Sequence, residues 1–169
     1  TMLNDVTALT GDAESLRVAA GAGSGVEIVL MHMQGQPQTM QSDPRYDHAA
    51  LDIFDYLEAR MAAAQAAGIE RARLIVDPGI GFGKRPADNA AILHHLGLYR
   101  SLGRVLLGAS RKNLISHFAG RAIAVEARLP GSLSLAVHGA LNGASILRVH
   151  DVSETQQALA VLGAIRAAD

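Results

Sequence analysis

The side chains of this 169-residue sequence that are best suited to chemistry occur in five short clusters. They include carboxylates, an ammonium group, guanidinium groups, imidazoles and amides, which can exchange protons, bind anions and make hydrogen bonds. Four of them, Asp5, His32, Asp77 and His150, are also of the types that bind zinc. In chain order the clusters are Asn4-Asp5, His32-Met33-Gln34-Gly35, Asp77-Pro78-Gly79, Gly108-Ala109-Ser110-Arg111-Lys112 and Arg148-Val149-His150-Asp151.

Each cluster directly follows an apolar run that is typical of a β-strand buried on both faces. Leu3 is the tail of the first run, and the others cover residues 26–31, 74–76, 105–107 and 146–147, the last with Val149. The clusters therefore stand at the C-terminal ends of predicted strands. In a parallel barrel those ends meet at one mouth, which is where the chemistry of such folds is found. Because all five ends are polar or glycine-rich, the pattern predicts an active site there.

Helical stretches separate the predicted strands. Residues 47–67 place Ile53, Leu57 and Met61 on one face and stop at Gly68, as an amphipathic helix does. The alternation predicts a single α/β domain, residues 1–169, with parallel strands and right-handed crossovers. It fits either a doubly wound sheet or part of an eight-stranded barrel. The other predicted helices cover residues 12–22 with Asp12 as N-cap, 87–102, 112–119, 131–141, and 153–169 starting with the capping box Ser153-Glu154-Thr155-Gln156.

The composition excludes several classes of function. The net charge is −1 and no basic field is present, so we expect neither a nucleic-acid partner nor a membrane partner. The absence of cysteine excludes disulfides and thiolate zinc sites. No apolar run is long enough to span a bilayer, and the start of the sequence does not resemble a signal peptide, so we expect a cytoplasmic protein.

Individual motifs also have simpler interpretations. Asp77-Pro78-Gly79 is a typical turn sequence, and Ser110 could cap the helix that follows it. The glycines that follow Asp77 imitate nucleotide-binding loops, but Lys84 and Arg85 occupy positions that those motifs reserve for other residues. We therefore expect the glycines to let the backbone approach a flat ligand. For Arg111 we expect a structural ion pair, and for the remaining histidines, such as His94 and His95, no role in the site.

Taken together, the five clusters resemble the successive strand-end motifs of the dihydropteroate synthase family, in order and in spacing. The motifs Ser110-Arg111-Lys112 and Arg148-Val149-His150-Asp151 resemble this family more than the related pterin-binding methyltransferases. The resemblance covers essentially the whole chain. It implies the last five strand–helix units of a (β/α)8 TIM barrel. It also implies a transferase of folate biosynthesis that joins p-aminobenzoate to 6-hydroxymethyl-7,8-dihydropterin diphosphate, releasing pyrophosphate and forming 7,8-dihydropteroate.

The resemblance assigns roles to particular residues. Lys112, Arg148 and His150 are the implied catalytic residues, and Arg148 and His150 are those implied to hold the diphosphate. The implied residues of the p-aminobenzoate site are Ser110, Lys112 and Asn113, where many relatives have serine in place of Asn113. The implied pterin-binding residues are Asn4, Met31, Asp77, Phe82 and Lys112.

The resemblance also implies features outside these residues. Three more strand–helix units would precede Asn4 and carry an asparagine that binds Mg²⁺, so no residue of this chain is predicted to bind a metal. They would also carry a second pterin-binding carboxylate and two loops of the p-aminobenzoate site. We therefore expect the 169 residues alone to be inactive, and the full-length protein to be a homodimer with sulfonamides as competitors. Two alternatives stay open: a metal-dependent TIM-barrel hydrolase that uses Asp5, His32, Asp77 and His150, and a pterin-binding protein without catalysis.

Overall fold

In the part of the chain that the structure describes, five parallel strands form one sheet whose order in space equals their order in the sequence. The structure is a computed structural model and describes residues 1–36 and 38–168. A doubly wound sheet reverses its strand order at a switch point, whereas the strands of a barrel follow one another around the axis. The sequential order therefore decides for the half-barrel, with strands β1 (Met2–Asp5), β2 (Glu27–Met31), β3 (Leu74–Asp77), β4 (Arg104–Leu107) and β5 (Ile146–Leu147).

Helices cover the outer face of this sheet. On α2 the side chains of Ile53, Leu57 and Met61 are buried, and the chain turns after the helix at Gly68, where φ is +92°. A positive φ of this kind costs glycine nothing and other residues about 1 kcal/mol. Over residues 1–36 and 38–168 the six α-helices are α1 (Ser15–Gly21), α2 (Ala49–Ala66), α3 (Pro86–His94), α4 (Leu114–Phe118), α5 (Leu129–Leu141) and α6 (Val152–Arg166).

The predicted helix over residues 87–102 is wrong in one respect, because it consists of two segments. The α-helix ends at His94, and a 3₁₀ helix, Leu96–Ser101, follows it. In a 3₁₀ helix residues i and i+3 lie on the same face. Leu96 and Tyr99 are both fully buried, and the Tyr99 hydroxyl donates to the Ala50 carbonyl at 3.0 Å. Burial of this pair explains the change of helix type.

Two helix starts also differ from the prediction. Helix α6 begins at Val152 with Asp151 as N-cap, so Ser153 lies inside the helix and does not cap it. Helix α1 begins at Ser15, and Asp12 instead accepts a hydrogen bond from the Glu14 backbone N–H at 2.7 Å in the turn before it. The last residue of the predicted 153–169 helix lies outside the described residues.

The sheet divides the apolar residues into two layers. Strand residues that point outward pack against the helices in the main core. Alternate residues point inward, because successive side chains of a strand lie on opposite faces. The inward layer consists of Val29, Ile75 and Leu106 with Ile146 packed against them.

Candidate active site

One step beyond the inward apolar layer, the inner face of the sheet becomes polar. Two residues further along the strands β2, β3, β4 and β5 stand Met31, Asp77, Gly108 and Arg148. Residues i and i+2 of a strand share a face, so these four positions point to the inside of the half-barrel. Met31 and Asp77 are paired directly in the register of β2 and β3. The strand ends therefore bring together residues that are far apart in the sequence.

Asp77 is the carboxylate among these four residues and is buried, with 2% of its surface exposed. Within the described part of the chain, its hydrogen bond comes from the Gly79 N–H, at 2.7 Å to Oδ1. A carboxylate accepts more hydrogen bonds than this one, so Asp77 retains capacity for a ligand. Burial raises the pKa of Asp77, and the positive charges of Lys112, Arg148 and Lys84 oppose that rise. Asp77-Pro78-Gly79 is thus both a turn, as the simpler interpretation holds, and the location of a buried acid.

Lys112 reaches the same region because the backbone turns sharply at Arg111, which has φ of +57°. Such a conformation is unusual for a residue other than glycine and needs support from its surroundings. The Arg111 N–H donates to Ser132 Oγ at 2.9 Å, and Arg128 donates to the Arg111 carbonyl at 2.9 Å. The Arg111 side chain forms a two-point ion pair with Asp151, with Nε 3.0 Å from Oδ2. The predicted structural ion pair of Arg111 is confirmed.

The Lys112 ammonium group lies between the loop after β3 and the open end of the sheet. It donates to the Ile80 carbonyl and stands 4.0 Å from the centroid of the Phe82 ring, a cation–π arrangement. Burial lowers the pKa of Lys112 to about 8, with Arg148 adding to the effect and Asp77 opposing it. At neutral pH the group is therefore mostly protonated and can donate to an anionic or carbonyl oxygen.

The glycines after Asp77 serve the contact between two loops of the protein itself. A Cβ atom at Gly79 would lie 1.9 Å from the His32 carbonyl oxygen, and one at Gly83 would lie 2.3 Å from that of Gln34. Both have positive φ. The expectation that they make room for a flat ligand is therefore replaced at these two positions by close packing against the end of β2. Gly81 faces Lys112, whose Cδ would be 3.1 Å from an added Cβ.

Lys84 is a site residue that the sequence analysis missed. It is 3% exposed, and its ammonium group lies 3.0 Å from His32 Nδ1, 2.9 Å from the Phe82 carbonyl and 3.3 Å from the His32 carbonyl. Burial lowers the pKa of Lys84 to about 7, and Asp77 opposes this shift. Its position in the glycine-rich segment after β3 could have pointed to it from the sequence.

Arg148 and His150 are both exposed and lie at the open end of β5. The Arg148 guanidinium crosses Gly108, where an added Cβ would lie 2.9 Å from Nη2. His150 Nδ1 lies 3.1 Å from Ser110 Oγ, which also accepts from the His150 backbone N–H at 3.3 Å. Ser110 therefore supports His150, and it does not cap α4, which begins at Leu114 without a side-chain cap.

The two asparagines implied by the resemblance lie at the edges of the site. Asn4 is exposed on β1 and is paired in register with the inward-pointing Val29. Asn113 is exposed, and its side-chain oxygen accepts from Arg128 at 3.1 Å. The helix that the sequence analysis began at Lys112 begins two residues later, although the Lys112 carbonyl already accepts from the Ile115 N–H at 3.1 Å.

Two open clefts meet at Phe82 and Lys112. The first, the Arg148 cleft, has a volume of about 330 Å³ and is also lined by Ser110, Arg148 and His150. The second has a volume of about 580 Å³ and is also lined by Gln41 and Asn113; we name it the Gln41 cleft. A hollow of equal volume, which also borders Asn113, lies near Arg121 and Arg128, so size alone does not locate the site. The Arg148 cleft and the Gln41 cleft share Phe82 and Lys112 as a common wall.

The four residues of the alternative metal site do not assemble. Burial, with help from the charge of Lys84, lowers the pKa of His32 to about 3, and its Nδ1 faces the Lys84 ammonium group. The Asp5 carboxylate accepts from the backbone N–H groups of Thr7 and Leu9 in its own loop. Over residues 1–36 and 38–168, no group of three or more potential ligands is placed to hold a metal ion. The geometry therefore does not favour the metal-dependent hydrolase.

Comparison with known proteins identifies the family. The family described as "Pterin binding enzyme" matches residues 1–150. This chain is a pterin-binding enzyme family member. It is similar to the dihydropteroate synthases of Escherichia coli K12, at 39% identity over 96% of the chain, and of Neisseria meningitidis serogroup B, at 43% over 97%. It spans 56% and 58% of the length of these two curated relatives.

Solved structures give the same result for the fold. A dihydropteroate synthase of Xanthomonas albilineans, solved in complex with 7,8-dihydropteroate, matches 99% of this chain with 41% identity and a TM-score of 0.89. That of Stenotrophomonas maltophilia matches 99% with 37% identity and a TM-score of 0.93. The chain covers 60% and 62% of those structures. The partial TIM barrel expected for a pterin-binding enzyme is confirmed. No helix of the described residues has the length and apolar character needed to cross a membrane.

Proposed function

We propose that this chain supplies the pterin-binding and diphosphate-binding part of a dihydropteroate synthase. In the proposed reaction the amino nitrogen of p-aminobenzoate forms a bond to the methylene carbon of 6-hydroxymethyl-7,8-dihydropterin diphosphate. The bond from that carbon to the diphosphate oxygen breaks, pyrophosphate leaves, and the nitrogen loses a proton. The observation that carries the proposal is Asp77, a buried carboxylate surrounded by three cations on the inner face of a half-barrel.

The proposed pterin subsite is centred on Asp77. The amino group and ring N–H of a pterin form a two-donor edge, and a buried carboxylate with free acceptor capacity matches such an edge. Met31 and Phe82 supply apolar walls, and Asn4 can donate and accept at another edge of the ring. Lys112, half-buried and close to Phe82, donates to the pterin carbonyl.

The proposed diphosphate site consists of Arg148 and His150. The Arg148 guanidinium lies next to Gly108, His150 is held by Ser110, and the two side chains line the same cleft. Negative charge grows on the leaving diphosphate as its bond to carbon breaks. Donors that already point at that charge lower the barrier, because they need no reorganisation during the reaction.

We place p-aminobenzoate on the other side of Lys112, in the Gln41 cleft near Asn113. Ser110, which the resemblance also assigns to this substrate, lines the Arg148 cleft instead. Lys112 lines both clefts, so it can contact both substrates. The carboxylate of p-aminobenzoate would meet backbone N–H groups at the start of the turn that follows Lys112, where an anion is favoured. Sulfonamides would compete for this position. A relative from Yersinia pestis has been solved as a sulfonamide drug complex.

Mg²⁺ belongs to the proposed reaction, but the described residues do not fit a protein-held magnesium site. Such a site needs oxygen ligands that converge, and no cluster of three potential ligands occurs in residues 1–36 and 38–168. We propose that the ligand of the ion comes from sequence that precedes Asn4 in the family's barrel. No step of the mechanism above depends on the ion.

We also propose a cytoplasmic homodimer. The exposed apolar side chains of α5 and α6, Leu141, Val152, Val161 and Ile165, support a protein–protein contact on this side. Sedimentation or light scattering at several concentrations would test the dimer. A monomer up to the highest concentration would contradict it.

Two measurements test the proposed function. Calorimetry should detect binding of 7,8-dihydropterin and of pyrophosphate to the 169-residue chain. The N-terminal part of the Escherichia coli relative, joined in front of Thr1, should give a chimera that forms 7,8-dihydropteroate. A chimera that folds and binds the pterin without turnover would support a binding protein. If neither protein bound the pterin, the proposal would be wrong.

A further inference from the structure

Lys84 is a buried cation that the proposed reaction does not use. The chain has two lysines, Lys84 and Lys112, and Asp77 interacts electrostatically with both. Lys112 borders both clefts, whereas Lys84 is 3% exposed and its ammonium group is directed at groups of the protein itself. A lysine is rarely buried to this degree unless its ammonium group is paired or hydrogen-bonded, because removing that group from water is costly.

The ammonium group of Lys84 connects two loops that are distant in the sequence. An ammonium group only donates, so the 3.0 Å contact makes His32 Nδ1 the acceptor and puts the ring proton of neutral His32 on Nε2. The donation to the Phe82 carbonyl, at 2.9 Å, stays within the loop after β3. The donation to the His32 carbonyl, at 3.3 Å, joins this loop to the end of β2. The His32 ring is itself fixed at 4.9 Å from the ring of Tyr56.

The loop that Lys84 holds carries the apolar wall of the pterin subsite. Phe82 packs beneath Lys112, and the Phe82 N–H donates to the Gly79 carbonyl at 3.1 Å. Asn89 fixes the same loop from the helix side by accepting from the Gly81 N–H at 2.7 Å. Lys84 is the side chain of this loop that reaches His32 at the end of β2. From the segment after β2, Gln41 donates to the Gly81 carbonyl and the Tyr46 hydroxyl to the Gly83 carbonyl, each at 2.7 Å. Loss of Lys84 would therefore release Phe82 from His32, while these two contacts and the one with α3 remained.

We propose that Lys84 is a positioning residue: its ammonium group holds the Phe82 loop against His32 at the end of β2 and thereby shapes the pterin subsite next to Asp77. This inference rests on the proposed function for the identity of the ligand, but the placement of the loop does not. The charged groups that face Lys84 are Asp77, Lys112 and Asp88. Burial lowers the pKa of Lys84 to about 7, so we expect pterin binding to weaken as the pH rises through neutrality and the ammonium group loses its proton.

Hydrogen exchange measured by mass spectrometry on the 169-residue chain tests the placement of the loop without any ligand. Lys84→Met should raise the exchange rate of the Phe82 amide about tenfold or more, with little change in β4 or at the Gly81 amide, which Asn89 of α3 still holds. Arg85→Met is the matched control, because it removes a neighbouring, exposed cation that pairs with the buried Asp88 at the start of α3. It should leave those amides as they are. Unchanged exchange in Lys84→Met would overturn the proposal.

A pair of changes at His32 covers the case in which Lys84→Met does not fold. His32→Asn keeps an acceptor near the position of Nδ1, whereas His32→Leu removes it. Loop exchange should rise in His32→Leu and stay near the parent value in His32→Asn. Equal behaviour of the two variants would contradict the role of the Lys84–His32 contact.

Binding of 7,8-dihydropterin provides the functional readout. Lys84→Met should raise its Kd about tenfold while the Kd of pyrophosphate stays within about twofold, since Arg148 and His150 do not contact this loop through Lys84. The variant should also lose the change in pterin affinity between pH 6 and 7.5, and equal losses for both ligands would refute a positioning role. If the parent chain bound no pterin, the proposed function would fail, and hydrogen exchange would still decide the role of Lys84.

Discussion

Replacement of Asp77 by asparagine isolates the charge of the group on which the proposed function depends. The amide has nearly the shape of the carboxylate, and its oxygen can still accept from the Gly79 N–H, now at 2.7 Å. The residue is 2% exposed, so the change removes the cost of burying a charge without leaving a cavity. We therefore expect the melting temperature of Asp77→Asn to equal or exceed that of the parent.

The loss of pterin affinity follows from the hydrogen bonds. A hydrogen bond to a charged group contributes about 1.5–3 kcal/mol, and the pterin edge would make two with Asp77. In the variant one amide NH₂ group would face a pterin donor, which leaves a buried donor without a partner at about 1–3 kcal/mol. Loss of one of these bonds at about 1.5 kcal/mol and an unpaired donor at about 1.5 kcal/mol give a total near 3 kcal/mol, which corresponds to roughly 100-fold in Kd. Asp77→Ala should lose at least as much.

Calorimetry with 7,8-dihydropterin measures this loss. Asp88→Asn is the matched control, because Asp88 is also buried but pairs with Arg85 at the start of α3. It should change stability more than pterin affinity. If the pterin Kd of Asp77→Asn stayed within about threefold of the parent, a difference under ~1 kcal/mol, the assignment of Asp77 to the pterin would be refuted.

Three further changes test neighbouring parts of the site. Gly108→Ala should displace the Arg148 guanidinium, since an added Cβ would stand 2.9 Å from Nη2. It should weaken pyrophosphate binding severalfold and leave the melting temperature unchanged. Crystallography would show whether Arg148 moves. Arg148→Ala and His150→Ala should each weaken pyrophosphate more than 7,8-dihydropterin, and equal losses in calorimetry would contradict a diphosphate role. Carbon-13 labelling of lysine should give two NMR titrations, near pH 7 for Lys84 and near pH 8 for Lys112, and both should move lower in Asp77→Asn because the carboxylate raises both pKa values.

The sequence predicted the strand ends well, because burial on both faces leaves an apolar run in each strand that can be recognised without the rest of the fold. Strands covered on both faces are apolar throughout, so the first polar residue after each run marks the end of the strand. Asp77 and Arg148 could be assigned to one site in this way, although 71 residues separate them in the numbering. The Arg111–Asp151 pair was only half predicted, because the sequence indicated an ion pair for Arg111 without naming its partner.

The features that the sequence did not predict depend on contacts between distant segments. Lys84 meets His32 across 52 residues, and no local pattern specifies that contact. Likewise, Gly79 is needed because the His32 carbonyl passes so close to it, not because a ligand does. The 3₁₀ helix after His94 arises from burial of Tyr99 under α2, which helix propensity does not register.

The direction of the pKa shifts explains what a ligand would add to this site. Burial raises the pKa of Asp77 and lowers those of Lys84 and Lys112, so each shift favours the neutral form. For the lysines, the unfolded chain binds more protons than the folded one between the lowered values of about 7 and 8 and the ordinary value of 10.5, so stability rises with pH across that window. The folded protein thus keeps charges at the mouth of the half-barrel at a cost in stability. Apolar groups at these positions would make the fold more stable. A ligand with matching donors and acceptors would instead offset the free-energy cost of burying the charges when it binds. This is the behaviour expected of a binding site whose polar groups are held in place before the ligand arrives.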